Sequence, residues 1–183
     1  MLVTKTLLFL GAAVIATAFT IPKGEANGFY LAYYDIEGNE VHKLITDISA
    51  NLTESSISQS AKIGKRGQTW CGCRNGMDHG TTDDVNGHLG NILGNGYSIP
   101  GNAASYYVEG PSVAFMCNKD SFSATVNQGM IPTGCEKITA ACGLYVAGTY
   151  RIDGLPAMDF GYMDYTNGED FCRNAEGSGS HSC

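Results

Sequence analysis

Lys65-Arg66-Gly67-Gln68-Thr69-Trp70-Cys71-Gly72-Cys73 divides the chain into two unlike parts. Every cysteine lies after the dibasic pair and none before it, and the single tryptophan, Trp70, stands against the first cysteine. A cysteine-free part ahead of a cysteine-rich part, split by Lys-Arg, reads as a secreted precursor with a processing site. The folded domain then lies on the cysteine side.

Working outward from this boundary, residues 1–18 read as a secretory signal peptide. Lys5 supplies the positive start, Leu7 to Ile15 the apolar run, and Ala16-Thr17-Ala18 the small residues at the cleavage point, with Ala18 as its last residue. That run is shorter than the roughly 20 residues of a membrane span. No later stretch is longer and as apolar, so stable membrane insertion is not expected. The segment from Phe19 to Arg66 reads as a propeptide ending at Lys65-Arg66. Gly28 to Asp35 is aromatic-rich and strand-like, Glu37-Gly38-Asn39-Glu40 is a turn, and Val41 to Ile48 is a returning strand. An isolated hairpin is marginal in water, so it must dock on the cysteine domain or stay partly disordered. The alternative keeps residues 19–66 as a structural hairpin. Ala50 to Lys65 has the composition of an exposed, cleavable linker, and Asn51-Leu52-Thr53 makes Asn51 a glycosylation acceptor.

Export sets the chemistry of Cys71, Cys73, Cys117, Cys135, Cys142, Cys172 and Cys183. In an oxidising compartment these are disulfide partners in preference to metal ligands. Seven is odd, and Cys183, the last residue, is the expected unpaired one. Cys71 and Cys73 are too close to close a loop together, so each should find a separate partner. A zinc reading with His79 lacks the usual ligand spacing. No cofactor is expected.

Residues 67–183 carry five basic and twelve acidic side chains. Such an acidic domain is poorly suited to phosphate backbones, so nucleic acid is not an expected partner. Along the domain, Thr81 or Thr82 caps a first helix with Asp83 and Asp84 in its first turn, and Val85, Leu89, Ile92 and Leu93 form its apolar stripe. Ala103–Val108 and Val113–Cys117 form a hairpin across Glu109-Gly110-Pro111-Ser112. Asn118 to Gly129 reads as a loop. Thr133-Gly134-Cys135-Glu136 has capping-box spacing and opens a second helix ending at Gly143. On that helix Cys135 and Cys142 are about 10.5 Å apart along the axis, beyond disulfide reach, so they cannot pair with each other. Leu144–Ile152 and Pro156–Tyr165 are two more strands, and Asn174 to Ser182 is a loose tail. The order is that of an α+β fold: a disulfide-rich α/β sandwich, an antiparallel sheet with two helices packed on one face.

Catalytic signals are sparse. Residues 67–183 hold only His79, His88 and His181, and no Gly-x-Ser-x-Gly elbow is present. Asp159, Asp164, Glu169 and Asp170 read as a solvated acidic loop without calcium-loop spacing. No catalytic residue is assigned.

Gly67-Gln-Thr-Trp-Cys71, Val113-Ala-Phe-Met-Cys-Asn118, Gly134-Cys135, Cys142-Gly143, Tyr145-Val-Ala-Gly148, Asp159-Phe-Gly-Tyr162 and Phe171-Cys172 resemble small secreted cysteine-rich fungal proteins. The element order resembles the killer-toxin 4 family. The resemblance spans about residues 67–172 and implies a kexin-type cut at Lys65-Arg66 and a disulfide-held α/β sandwich. It also implies a non-enzymatic secreted toxin or plant-pathogen effector, which binds a protein or surface component of a host or competitor cell. The family's toxins rely on basic surface residues, whereas this domain is acidic, which favours an effector role on the same scaffold. The alternatives are a small extracellular hydrolase or ribonuclease using Asp and His, and a cell-wall carbohydrate-binding protein.

Overall fold

The computed structural model describes residues 19–46, 67–155, 157–165 and 170–183. The proposed signal segment with Ala18, the linker with Asn51, and Lys65-Arg66 lie outside them.

The fold is α+β around a seven-stranded sheet of order β2-β1-β5-β6-β9-β8-β3. Its strands are β1 (Gly28–Tyr34), β2 (Glu40–Leu44), β3 (Thr69–Gly76), β5 (Ala103–Glu109), β6 (Ser112–Asn118), β8 (Val146–Arg151) and β9 (Met158–Asp164). Every neighbouring pair is antiparallel. The central β5–β6 hairpin forms where turn chemistry and β-branched and aromatic residues place it, and all seven residues of β6 are buried. The first hairpin also forms, but it is no appendage: β1 adds to β5 from Gly28↔Val108 to Ala32↔Ala104 and extends the sheet.

A second, two-stranded sheet pairs β4 (Tyr97–Ile99) with β7 (Ala124–Val126). This corrects the expected loop at Asn118 to Gly129. Asn118 is the reason: its side-chain amide donates to the carbonyls of Ile99, Pro100 and Phe122, pulling both segments together. Three residues alone give too weak an alternation for a sequence reading.

Both long helices start earlier than their expected caps. Helix α1 is His79–Leu93, and Asp78 caps it by accepting from the Thr81 amide at 2.9 Å. Asp83 and Asp84 therefore fall beyond its first turn. The stripe of Val85, Leu89 and Leu93 is buried against β5 and β6, with Ile92 partly so. Helix α2 is Met130–Cys142 and has Gly129 at its N-cap without a side-chain bond. Pro132 sits in the first turn, where its missing N–H costs nothing, and the Thr133 hydroxyl donates back to Gly129 O instead of capping. Helix α2 lies on β3, β8 and β9. Close approach there needs small residues: a Cβ on Gly134 would meet Phe160 Cδ1 at 2.2 Å, and one on Gly148 would meet Ile138 Cγ2 at 2.6 Å.

Two apolar clusters flank the sheet. One joins α1 and α2 to Phe29, Ala114, Met116, Phe160 and Tyr162. The other holds Phe19, Tyr30, Ala32, Tyr106, Phe115 and Phe171. The short helix α3 (Asn174–Gly177) follows Cys172, and the tail beyond it is tied down rather than loose. The Cys71 amide donates to Ser180 O, and the Cys183 amide to Ala141 O.

Candidate functional site

Three disulfides join Cys71 to Cys142, Cys73 to Cys183 and Cys117 to Cys172, with Cα separations of 5.3, 5.7 and 5.8 Å. Cys71 and Cys73 take separate partners, and Cys135 and Cys142 do not meet. The expectation for the odd cysteine is overturned: Cys183 is paired and Cys135 is the free thiol. The tail, read as loose, is tied by one backbone bond to Cys71 of β3 and by another to Ala141 of α2, which brings Cys183 to Cys73. Cys135 points instead into a groove between α1 and α2. Burial, with the Asp83 charge adding, pushes its thiol up to about 12, so little thiolate exists near neutral pH. The sulfurs of Cys71, Cys142 and Cys183 lie within 4.8 Å of one another, but each is in a disulfide and supplies no thiolate ligand.

Charge chemistry concentrates at the opposite end of β8 and β9. Asp159, read as part of an acidic loop, is a strand residue with 0 % exposure. It accepts from Arg151 Nε, and from Arg151 Nη2 at 2.9 Å, and Lys119 Nζ lies 2.9 Å away. Glu176 of α3 accepts from Arg151 Nη2 at 2.7 Å and from Lys119 Nζ. Two cations thus face two carboxylates. Burial acts to raise the Asp159 pKa, but the hydrogen bonds from Arg151 and the charges of Lys119 and Arg151 win and hold it below the ordinary range. Burial, with the neighbouring Asp159, lifts Glu176 instead. The Arg151 guanidinium also lies over the Trp70 ring, 5.5 Å from its centroid. Sequence reasoning missed this cluster. Its available signal was a lone Asp between Met158 and Phe160 in an apolar strand.

The remaining acidic residues do not gather around Asp159 as a loop. Asp164 ends β9, and Asp170 is joined through its backbone to Thr20. Glu169 lies outside the described residues.

The interhelical groove encloses about 450 Å³ between Asn86 and Gly90 of α1 and Ile131, Pro132 and Cys135 of α2. Asn86 donates to Thr82 O, and its own Oδ1 is buried without a partner among the described residues. A larger hollow of about 740 Å³ opens beside β3, β6, β8 and β9, bounded by Phe115, Thr149, Met163, Gly177 and Ser180.

The histidines are dispersed among the described residues. His79 stacks on Tyr145 at 3.8 Å, and the Tyr145 hydroxyl donates to Asp83, all at the surface. His88 pairs with Glu109 and stacks on Tyr107. His181 contacts Thr69 O and Gln68, and His42 bridges Glu40 and the Tyr106 hydroxyl. His181 reaches the Asp159 cluster only through Trp70, whose ring centroid lies 6.0 Å from its own and which carries the Arg151 guanidinium. Among the described residues no helix is long and apolar enough to cross a membrane. Comparison with protein-family models, characterised proteins and solved structures returns no match.

Proposed function

We propose that this chain is a secreted, disulfide-stapled effector or toxin-like protein that acts by binding a protein or surface component of a host or competitor cell. The observation that carries the reading is the set of three disulfides, which close spans of 71, 110 and 55 residues. They fasten β3, β6, α2 and the C-terminal tail, as suits a small domain that must survive outside a cell. An apolar, export-type N-terminus and a kexin-type cut at Lys65-Arg66 complete it. The finer architecture in this reading is an α/β sandwich with α1 and α2 on one face, supported by the single apolar cluster that both helices share.

The charge cluster bears on the kind of partner. Of the five basic residues beyond Arg66, Lys119 and Arg151 are committed to Asp159 and Glu176. The cluster is internally neutral, so the remaining three basic and ten acidic side chains of residues 67–183 leave the domain its net charge of −7. That favours a neutral or basic protein partner over the basic-patch mode of the killer toxins it resembles.

The test applies the purified secreted protein to plant and fungal cells, with parallel assays for turnover of RNA, esters and polysaccharides. Cell activity without turnover supports the proposal. Turnover would replace it with the hydrolase or ribonuclease alternative, and retention on chitin or glucan with the carbohydrate-binding one.

A further inference from the structure

We infer that residues 19–46 stay bound to residues 67–183 after the chain is cut at Lys65-Arg66, so that the processed protein is a two-chain, non-covalent assembly. The inference rests on the cleavage proposed above and changes its product: the segment ahead of the cut is a structural subunit rather than a discarded propeptide.

The contacts that hold it run through both cores. Strand β1 pairs with β5 over five residues, from Gly28↔Val108 to Ala32↔Ala104. On one side of the sheet Phe29 packs edge-on to Tyr97 at 5.4 Å, within the cluster that α1 and α2 share. On the other side Tyr30 stacks on Tyr106 at 5.1 Å, and His42 Nδ1 meets the Tyr106 hydroxyl at 2.7 Å.

The anchor is Phe19, 1 % exposed, which lies between Tyr34 and Phe171 with ring centroids 5.3 and 6.3 Å away. The Phe171 amide donates to Phe19 O, and the Tyr165 hydroxyl to Pro22 O. Phe171 is itself fixed beside the Cys117–Cys172 disulfide. The receiving surface is thus stapled independently of the segment that fills it.

Removing residues 19–46 would bare Ala104, Tyr106, Val108, Phe115 and Phe171, all buried here, together with the unpaired edge of β5. A continuous apolar face joined to an open strand edge favours retention of its occupant. No cysteine precedes Cys71, so no disulfide joins the two pieces once the linker is cut.

The experiment treats the full secreted chain with a kexin-type protease and follows it by native size exclusion with mass analysis of each peak. The expected result is one peak containing both pieces, which separate in guanidinium without any reductant. Phe19→Ala weakens the hold about 100-fold or more, and the pieces of that variant part on dilution. A wild-type digest in which residues 67–183 elute alone, with unchanged near-ultraviolet circular dichroism, overturns the inference. A chain that the protease does not cut between Lys65 and Gly67 refutes the cleavage reading itself, and the inference falls with it.

Discussion

Replacing Asp159 by Asn tests whether the charge cluster holds the sheet to α3. The carboxylate is fully buried and faces Arg151 Nε and Nη2 and Lys119 Nζ. Asparagine keeps the volume, but one oxygen becomes an N–H donor aimed at a cation. Two positive charges then face Glu176 alone. Breaking a buried pair by neutralising one partner costs about 3–5 kcal/mol. For a domain of this size that lowers Tm by roughly 6–20 °C. Thermal and urea unfolding under non-reducing conditions at pH 7 measure it. The double variant Arg151→Met with Asp159→Leu removes one charge of each sign and leaves Lys119 facing Glu176, so it should recover at least half the loss. Acid resolves the mechanism further. The folded pKa of Asp159 lies below its ordinary 3.8, so its contribution is complete above that value and is lost as pH falls through the lower, folded one. Glu176 works in the opposite sense. Its raised pKa means that its ionisation costs stability above the folded pKa, and this cost disappears as pH drops through it. The gap between wild type and Asp159→Asn should therefore persist at neutral pH and close only below about pH 4. A single variant within about 1 kcal/mol of wild type at pH 7 would refute the reasoning.

Two other sites give equally direct outcomes. With its thiol pushed up to about 12, Cys135 holds on the order of one part in ten thousand as thiolate at pH 8. Iodoacetamide should leave the native protein unlabelled and add one group in guanidinium without reductant; rapid native labelling, or more than one adduct, contradicts the disulfide assignment. Gly134→Ala drives a methyl into the fully buried Phe160 ring and should cost about 1–3 kcal/mol despite alanine's better helix propensity. Gly87→Ala, also helical but with nothing within 4 Å of the new Cβ, should instead stabilise by about 0.5–1 kcal/mol. Urea unfolding of the pair compares them, and equal effects would show that the α2–sheet contact is looser than described.

The local chemistry was legible along the chain. Period and turn residues placed the β5–β6 hairpin within a residue of its ends. Helical rise separated Cys135 from Cys142, and chain stiffness sent Cys71 and Cys73 to different partners. These outcomes depend on neighbours a few residues apart, which a linear reading contains. The rest followed from contacts between distant segments. Cys73 and Cys183 are 110 positions apart yet 5.7 Å between Cα atoms, and no local signal marks Cys183, rather than Cys135, as the one within reach. Asp159 looks like any solvated carboxylate until β8 and β6 bring Arg151 and Lys119 against it. The first hairpin reads as dispensable because no cysteine marks it, yet the open edge of β5 and the bared face around Tyr106 need a partner strand. Long-range pairing and burial are properties of surfaces that exist only after the chain has closed on itself, so they cannot be read from spacing along it.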